Sequence, residues 1–596
     1  MYGKGVRCVI HLTIDRRPVS VEPGTTVLEA ARQNGIHIPT LCYLKDINKI
    51  GACRMCLVEV EGARGLQTAC TTPCTEGMVV HTNSPAVREA RKLVLELLLS
   101  DHNIECPTCL RAGNCELMQL AQEMGVRTVP LKGAHHQVHR DVESGAIAVD
   151  SSKCVLCQRC VAVCREVQGV SAISVTGRGF ESRVAPFFGV SLNDAACALC
   201  GQCTVVCPTG ALTEYDETEA VWRALLDPTK HVVVQTAPAV RVQIGEPFGL
   251  PPGAVSTGKM VAGLRRLGFD QVFDTVFSAD LTIMEEATEL IQRLQKGGPL
   301  PLITSCSPGW VKFAEHFFPN MLENLSTCKS PQQMFGALAK TYYAEKAGID
   351  PADMVVVSVM PCTAKKYEAN RPEMRDSGYQ DVDYVLTTRE LARMFRQAGI
   401  DLPSLPDEEF DNPLGIGTGA GTIFGTTGGV MEAALRTAAA WLEPGSPSPK
   451  IEFQEVRGIP FQVREATVTL DGVTLNVAVA NGLGAAGWLM EEVSAGRKNY
   501  HFIEIMGCPG GCIGGGGQPI PAKGPDALDE VRLARIASLY TIDERMTIRR
   551  SHENPAIQQV YAEYLGKPGS ERAHHLLHTH YQARVPAGIR RRQPGR

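Results

Sequence analysis

Fifteen cysteines and one histidine at metal-ligand spacing crowd into the first 210 residues of this 596-residue chain. They fall into four groups. Cys42, Cys53, Cys56 and Cys70 run as C-x10-C-x2-C-x13-C. His102, Cys106, Cys109 and Cys115 run as H-x3-C-x2-C-x5-C. Cys154, Cys157, Cys160 and Cys164 run as C-x2-C-x2-C-x3-C; Cys197, Cys200, Cys203 and Cys207 repeat that spacing and end in Pro208. Thiolates at such intervals wrap a soft metal centre or a metal–sulfur cluster. Disulfides are the poorer reading. MYGKGVRCVIHLTIDRR has no apolar core of signal-peptide length and no twin arginine followed by one. Beyond residue 210 the chemistry-bearing cysteines are Cys306 in ITSCSPGW, Cys362 in VMPCTAKK, and Cys508 and Cys512 in EIMGCPGGCIGGGGQP. Gly510, Gly511 and Gly514 to Gly517 let backbone approach a bulky inorganic group closely. Cys8 and Cys74 fit no spacing and read as ordinary cysteines; Cys328 reads as buried.

The elements that must hold these residues are partly legible. Val9 to Thr13 reads as a strand with Val19 to Val21 as its return partner. Thr26 and Glu29 make a capping-box pattern, with Gly35 as the helix stop. Ala86 to Leu99 reads as a helix preceding His102. From His231 strands such as HVVVQTAPAV and MVVVSVMPCTAKKYEA alternate with helical runs such as KSPQQMFGALAKTYYAEKAG, an α/β pattern with strands ending in functional loops. The net charge is −5, which gives no footprint for nucleic acid. No apolar run is long enough to span a bilayer. A soluble, cytoplasmic protein is expected, and Arg590, Arg591, Arg592 and Arg596 read as a solvated tail.

The first group resembles the plant-type ferredoxin domain, holding a [2Fe–2S] cluster, of respiratory complex I and the iron hydrogenases; a zinc site is the competing use. His102 with its three cysteines resembles the His-ligated [4Fe–4S] site of the same families. A neutral imidazole in place of a thiolate reduces the cluster's negative charge. The last two groups follow the bacterial two-cluster ferredoxin pattern, in which each fourth cysteine crosses over. That pattern assigns Cys154, Cys157, Cys160 and Cys207 to one [4Fe–4S] cluster, and Cys197, Cys200, Cys203 and Cys164 to the other. His135, His136 and His139 lack such company and read as solvated.

Taken together, ITSCSPGW, MPCTAKK and EIMGCPGGCIGGGGQP resemble the three signature segments of the iron-only, or [FeFe], hydrogenases. TIMEEATEL, STCKSPQQ, GAGTIFGTTGGVMEAALR and SHENPAI extend the likeness to about residues 6–580. The resemblance implies an α/β catalytic domain, two lobes around an H-cluster, preceded by α+β ferredoxin-like iron–sulfur domains. It implies an H-cluster, a [4Fe–4S] cubane joined to a two-iron subsite with CO, cyanide and dithiolate, beside one [2Fe–2S] and three accessory [4Fe–4S] clusters. By motif match Cys362, Cys508 and Cys512 ligate the cubane, Cys512 also bridging to the subsite. Lys365 hydrogen-bonds a cyanide, and Pro238, Gln332, Met360 and Met506 line the subsite pocket. The family's proton relay maps onto Cys306, Glu286, Ser326, Glu289 and Arg293. Glu286 and Glu289 share one helix face; Glu285 reads as ordinary acidic surface.

Two positions depart from the pattern. Many relatives carry two cysteines where this chain has Cys306 and Ser307, the first relaying protons and the second ligating the cubane. Ser307 can ligate as an alkoxide, Cys306 can take over the ligand role, or one iron corner can stay open. Adjacent side chains in an extended loop point apart, which favours Ser307 as ligand and Cys306 as relay. Ala239 stands where many relatives have a serine bonding a cyanide, a loss of about 1 kcal/mol for a neutral hydrogen bond.

The expected domains are 1–84 ([2Fe–2S]), 85–145 (the one-histidine, three-cysteine [4Fe–4S] site), 146–217 (two-cluster), 218–525 (catalytic), 526–585 (small-subunit-like and helical) and 586–596 (basic tail). The domain order resembles catalytic subunits that work with an NAD(P)-binding flavoprotein and a small [2Fe–2S] subunit, with soluble ferredoxin as a further carrier. Gly415, Gly417, Gly419 and Gly421 only superficially resemble a dinucleotide loop, since DEEFDNPL before them is a poor strand. The activity expected is reversible H2 oxidation. The alternatives are an H2 sensor, an iron–sulfur scaffold relative, and a complex I-type electron conduit, which would explain residues 1–210 alone.

Overall fold

The computed structural model describes residues 9–444, 451–457, 462–470 and 472–585; Cys8 and the basic tail lie outside them. The N-terminal hairpin pairs Ile10–Ile14 with Arg17–Val21 antiparallel and opens a five-stranded sheet. Thr26 and Glu29 make both capping-box hydrogen bonds at the start of helix Val27–Gln33, and Gly35 turns the chain away at φ +69°. Cys74 packs into this domain's core. Helix Pro85–Asp101 ends with His102 as its C-cap. His136 is not solvated: it bonds to Asp101 and stacks on Phe180 at 4.2 Å between centroids. His139 is half-buried.

The two-cluster segment repeats one loop conformation. Leu156 and Gln158 in the first run, and Leu199 and Gly201 in the second, take left-handed φ values between 52° and 70°. In each loop a leucine amide donates to the first cysteine: Leu156 N to Cys154 Sγ, and Leu199 N to Cys197 Sγ, both at 3.4 Å.

The catalytic region has two sheets. In chain order the elements that frame the site include β1 (His231–Thr236), β2 (Gln271–Asp274), α1 (Thr275–Lys296), β3 (Leu302–Ile303), α2 (Pro308–Phe317), α3 (Pro331–Leu338), β4 (Met354–Met360) and α4 (Ala364–Ala369). Then come β5 (Tyr384–Thr387), β6 (Gln454–Glu455), β7 (Gln462–Leu470), β8 (Val473–Asn481), β9 (Phe502–Met506) and α5 (Leu528–Arg545). One sheet, ordered β2-β1-β4-β5, is wholly parallel. The other, ordered β3-β9-β8-β7-β6, is parallel at β3, β9 and β8 and antiparallel beyond. Val232, Val233, Val234, Val356 and Val357 are almost fully buried, as the apolar runs of a covered parallel sheet require.

Four strands deliver their C-terminal ends to one place. β1 leads to Ala237 and Pro238, β3 to Cys306 and Ser307, β4 to Met360 and Cys362, and β9 to Met506 and Cys508. All eight residues line one cavity. Binding outside the carboxyl ends of strands is the general rule for open α/β sheets.

No strand precedes the glycines at 415–421. A Cβ at Gly417 or Gly421 would lie 2.3 or 2.7 Å from Val276, so these glycines let the chain pack closely on α1. The C-terminal segment straps the catalytic region through Arg535 to Glu246 (2.7 Å) and Asn554 to Asp280 (2.9 Å). Among the described residues no helix is long and apolar enough to cross a membrane.

Candidate active site

ITSCSPGW is a strand end, a turn and a helix start. Trp310 is fully buried and donates Nε1–H to Thr304 O at 3.1 Å, which ties α2 back onto the turn. Pro308 opens α2 and Ser307 stands at its N-cap, where a serine hydroxyl ordinarily accepts from the helix. Here it makes no cap bond. Ser307 Oγ instead accepts from Gly507 N at 3.3 Å, beside Cys508. Ser307, Cys362, Cys508 and Cys512 thus line one cavity, together with Cys306, Pro238, Gln332, Lys365, Met360 and Met506. Ala239 is buried with Val242, Ile513 and Leu539.

The cavity's chemistry fits an anionic cluster. The Cys362 thiol is held below its ordinary pKa by the Cys508 thiol, while Cys362 and burial push Cys508 up. Burial pushes Cys512 to about 12. Such thiols need metal ions to carry them as thiolates. A Cβ at Gly515 would lie 2.2 Å from Pro361 O, and one at Gly511 would lie 2.7 Å from Thr427 N, so the cradle tolerates no side chain there. Gln332 Oε1 is buried without a partner. Lys365 is held by Glu368 at 2.8 Å and by Cys306 O at 3.1 Å. Glu368 also accepts from Ser330 and Gln332 at 2.9 and 3.1 Å, a hub that sequence reasoning missed. Its one sequence signal is its place three residues after Lys365 on a helix.

A line of polar groups leaves the cavity. Burial pushes the Cys306 thiol well up, and Glu286 adds to it. Glu286 is buried, with Oε2 unpartnered; burial, then Glu289, raises its carboxyl to about 8, and Ser326 offsets part of the rise. Ser326 Oγ donates to Glu289 Oε2 at 3.0 Å, and Arg293 Nη2 donates to Glu289 Oε1 at 2.6 Å. Arg293 and Glu289 line an outer cleft. Glu285, one residue from Glu286, is not acidic surface. It is 1% exposed and accepts from the Tyr561 hydroxyl, from Gly569 N at 2.8 Å and from His578 Nε2 at 3.2 Å.

Three of the four N-terminal groups converge as well. Cys56 and Cys70 sulfurs lie 3.3 Å apart, and Cys42 interacts with both Cys53 and Cys70. His102 Nδ1 is buried without a partner, an orphan that a metal would satisfy; a Cβ at nearby Gly210 would lie 2.7 Å from Cys109 Sγ. Cys115 is buried at the start of helix Glu116–Glu123, and Cys106 opens a short turn. One cavity is lined by Cys154, Cys157, Cys160 and Cys207, and another by Cys164, Cys197, Cys200 and Cys203. These groups form a path. Asn48 Nδ2 donates to both Cys42 O and Cys157 O, at 2.7 and 3.0 Å. Arg111 donates to Cys207 O at 2.9 Å. Thr363, beside Cys362, donates to Leu199 O at 2.8 Å, and Gln168 donates to Gly507 O at 3.0 Å.

Comparison with known proteins decides the family. Residues 230–516 match the iron-only hydrogenase large subunit, C-terminal domain, and residues 529–584 the iron hydrogenase small subunit. The NADP-reducing hydrogenase subunit HndD of Solidesulfovibrio fructosivorans is 51% identical over 96% of this chain and 99% of its own. This chain belongs to the iron-only ([FeFe]) hydrogenases. Iron hydrogenase 1 of Clostridium pasteurianum is 44% identical over 94% of this chain and 98% of its own. A structure of [FeFe]-hydrogenase HydA1 from Chlamydomonas reinhardtii superposes with a TM-score of 0.57 at 47% identity, covering 62% of this chain and 99% of that one. Ahead of the catalytic domain the hydrogenase matches a 2Fe-2S iron-sulfur cluster binding domain at 7–85. It also matches the NADH-ubiquinone oxidoreductase-G iron-sulfur binding region at 91–130, and the NADH-quinone oxidoreductase subunit 3 ferredoxin-like domain at 144–213. It is a catalytic hydrogenase with an H-cluster, one [2Fe–2S] and three accessory [4Fe–4S] clusters. The conduit and scaffold alternatives are not favoured.

Proposed function

We propose that Ser307, Cys362, Cys508 and Cys512 hold the H-cluster, and that Cys306, Glu286, Ser326, Glu289 and Arg293 carry its protons to the surface. When bound, the cluster would supply reversible heterolytic cleavage of H2, with a net release of two protons and two electrons. The chain supplies the rest. Pro238, Gln332, Met360 and Met506 exclude bulk water from the cavity. Lys365, fixed by Glu368, places an ammonium beside an anionic group. Cys306 exchanges protons with the cavity, Glu286 holds one at its carboxyl, Ser326 hands it across to Glu289, and Arg293, paired to Glu289 at 2.6 Å, stands at the exit. The observation that carries this reading is the Ser307 hydroxyl, which forgoes its helix cap and faces the cavity that Cys362, Cys508 and Cys512 line.

Electrons move between that cavity and the N-terminal domains through the His102/Cys106/Cys109/Cys115 site and the clusters at Cys154/Cys157/Cys160/Cys207 and Cys197/Cys200/Cys203/Cys164. The Cys42/Cys53/Cys56/Cys70 domain is the end that meets a partner. The name of the HndD relative supports assembly with further subunits and NADP as electron acceptor. The finer reading is an NAD(P)-binding flavoprotein and a small [2Fe–2S] subunit in the cytoplasm, with ferredoxin as a second carrier. Domains at 1–84, 85–145, 146–217, 218–525 and 526–585 divide these tasks. Mixing the purified chain with the flavoprotein and small subunit tests this. H2-dependent NAD(P)+ reduction only with both present supports it; reduction by the chain alone contradicts it.

A further inference from the structure

Three side chains outside the electron path meet at the outer end of the relay. A carboxylate oxygen of Glu289, Cys328 Sγ and a ring nitrogen of His578 all lie within 4.8 Å of one another. Cys328 and His578 are 1% and 8% exposed. Cys328 Sγ lies 3.8 Å from Glu289 Oε2. Cys328 and His578 are tied at the backbone too, through an isolated antiparallel bridge.

The histidine is already oriented as a ligand would be. Its Nε2 faces Glu285 Oε2 at 3.2 Å, and Glu285 is itself fixed by Tyr561 and Gly569. A carboxylate holding the far nitrogen of a metal-binding imidazole is the usual outer support of such sites. It leaves Nδ1 for coordination, where the Thr327 hydroxyl now lies at 2.7 Å. Zinc bonds of about 2.0–2.3 Å to nitrogen, oxygen and sulfur require these three atoms, now within 4.8 Å of one another, to draw closer on binding. Glu289, Thr327 and His578 line the outer cleft, which gives an ion a way in.

We propose that Glu289, Cys328 and His578 form a site for a thiophilic divalent cation of the Zn2+ class, whose occupation closes the outer end of the proton relay. The closure rests on the relay proposed above; the binding does not. On binding, the Cys328 thiol releases its proton to solvent, the imidazole coordinates in its neutral form, and water completes the tetrahedron. Glu289, its lone pairs on the metal, no longer accepts a proton from Ser326. One thiolate and one imidazole select Zn2+ or Cd2+ over Mg2+ and Ca2+, which prefer all-oxygen sites.

The test uses anaerobic holoenzyme treated with zinc chloride and desalted, beside Cys328→Ala and His578→Gln. The two variants are checked by iron content and by their infrared CO and cyanide bands. The expected result is one more zinc ion per chain in the parent than in either variant. Its zinc K-edge spectrum should show one sulfur with nitrogen and oxygen. Turnover should fall about a hundredfold, the size of a lost proton-transfer step, and a chelator should restore it. Both variants should keep their basal turnover and resist zinc; magnesium chloride should have no effect. Equal zinc retention in parent and variants, or all-sulfur ligation, overturns the site. Zinc bound with mixed ligands at unchanged turnover keeps the site, overturns the closure, and counts against the relay through Glu289.

Discussion

Ser307 and Glu286 set the two properties of the site that are open to direct measurement. An alkoxide is a harder and more basic ligand than a thiolate, so Ser307 should hold the cubane at a lower potential than a cysteine would. Ser307→Cys is therefore expected to raise the cubane's midpoint potential in infrared spectroelectrochemistry, and an unmoved potential would assign ligation to Cys306 or an open corner. Glu286 gives the pH dependence. Its carboxyl, raised to about 8 by burial and Glu289, is protonated below that pH and empties above it. H2 oxidation needs an empty carboxyl and should accelerate as pH climbs through about 8. H2 formation needs a loaded one and should slow over the same interval. Glu286→Gln should lower both rates by roughly 10²–10⁴-fold and flatten the limb, with the infrared bands in place. Cys306, Glu289, Glu504 and Arg293 face this group and share its field. The cysteine positions were legible because their spacing is itself the coordination pattern. Glu285 was not. Its partners Tyr561, Gly569 and His578 lie 276, 284 and 293 residues away, and no local pattern separates a buried acid from a solvated one.

At the scale of elements, the meeting of the cluster loop with the catalytic loop is made by glycine. A Cβ at Gly516 would lie 2.4 Å from Cys200 O and 2.6 Å from Gly201 Cα, so the two loops touch backbone to backbone. Gly516→Ala should push them apart. Iron content should hold, but H2-driven reduction of an external dye should fall more than isotope exchange between H2 and water, which needs no electron exit. The strand-to-loop pattern from His231 was readable, since β1 and β4 are continuous apolar runs. The gathering of four strand ends on one cavity was not, because β3 is only two residues long and joins its sheet through β9, some 200 residues later. The role of Glu285 belongs here too, since it clamps the C-terminal segment to α1. Glu285→Ala leaves the buried Tyr561 hydroxyl and His578 ring without their acceptor, at about 1–3 kcal/mol for each. A lower melting temperature is expected, and an unchanged one would mean the segment is held elsewhere.

Across the whole molecule, the accessory clusters form one path into a cavity that sits between two sheets, and the C-terminal segment closes the outer side. If the path is a wire, breaking it should separate chemistry from electron export. Cys203→Ala, which removes one ligand from the group nearest the catalytic loops, should abolish dye reduction while isotope exchange persists. Loss of both together would mean that the cluster is needed to build the active site. The most direct check on the central claim, that this chain with Ser307 in place of a cysteine holds a working H-cluster, is the infrared spectrum of the fully maturated protein in the CO and cyanide region, before and after H2. The expected result is a set of sharp bands that shift under H2. Absence of bands, with all four accessory clusters present by iron count, would contradict the account and mean that Cys362, Cys508, Cys512 and Ser307 do not suffice to hold the cluster.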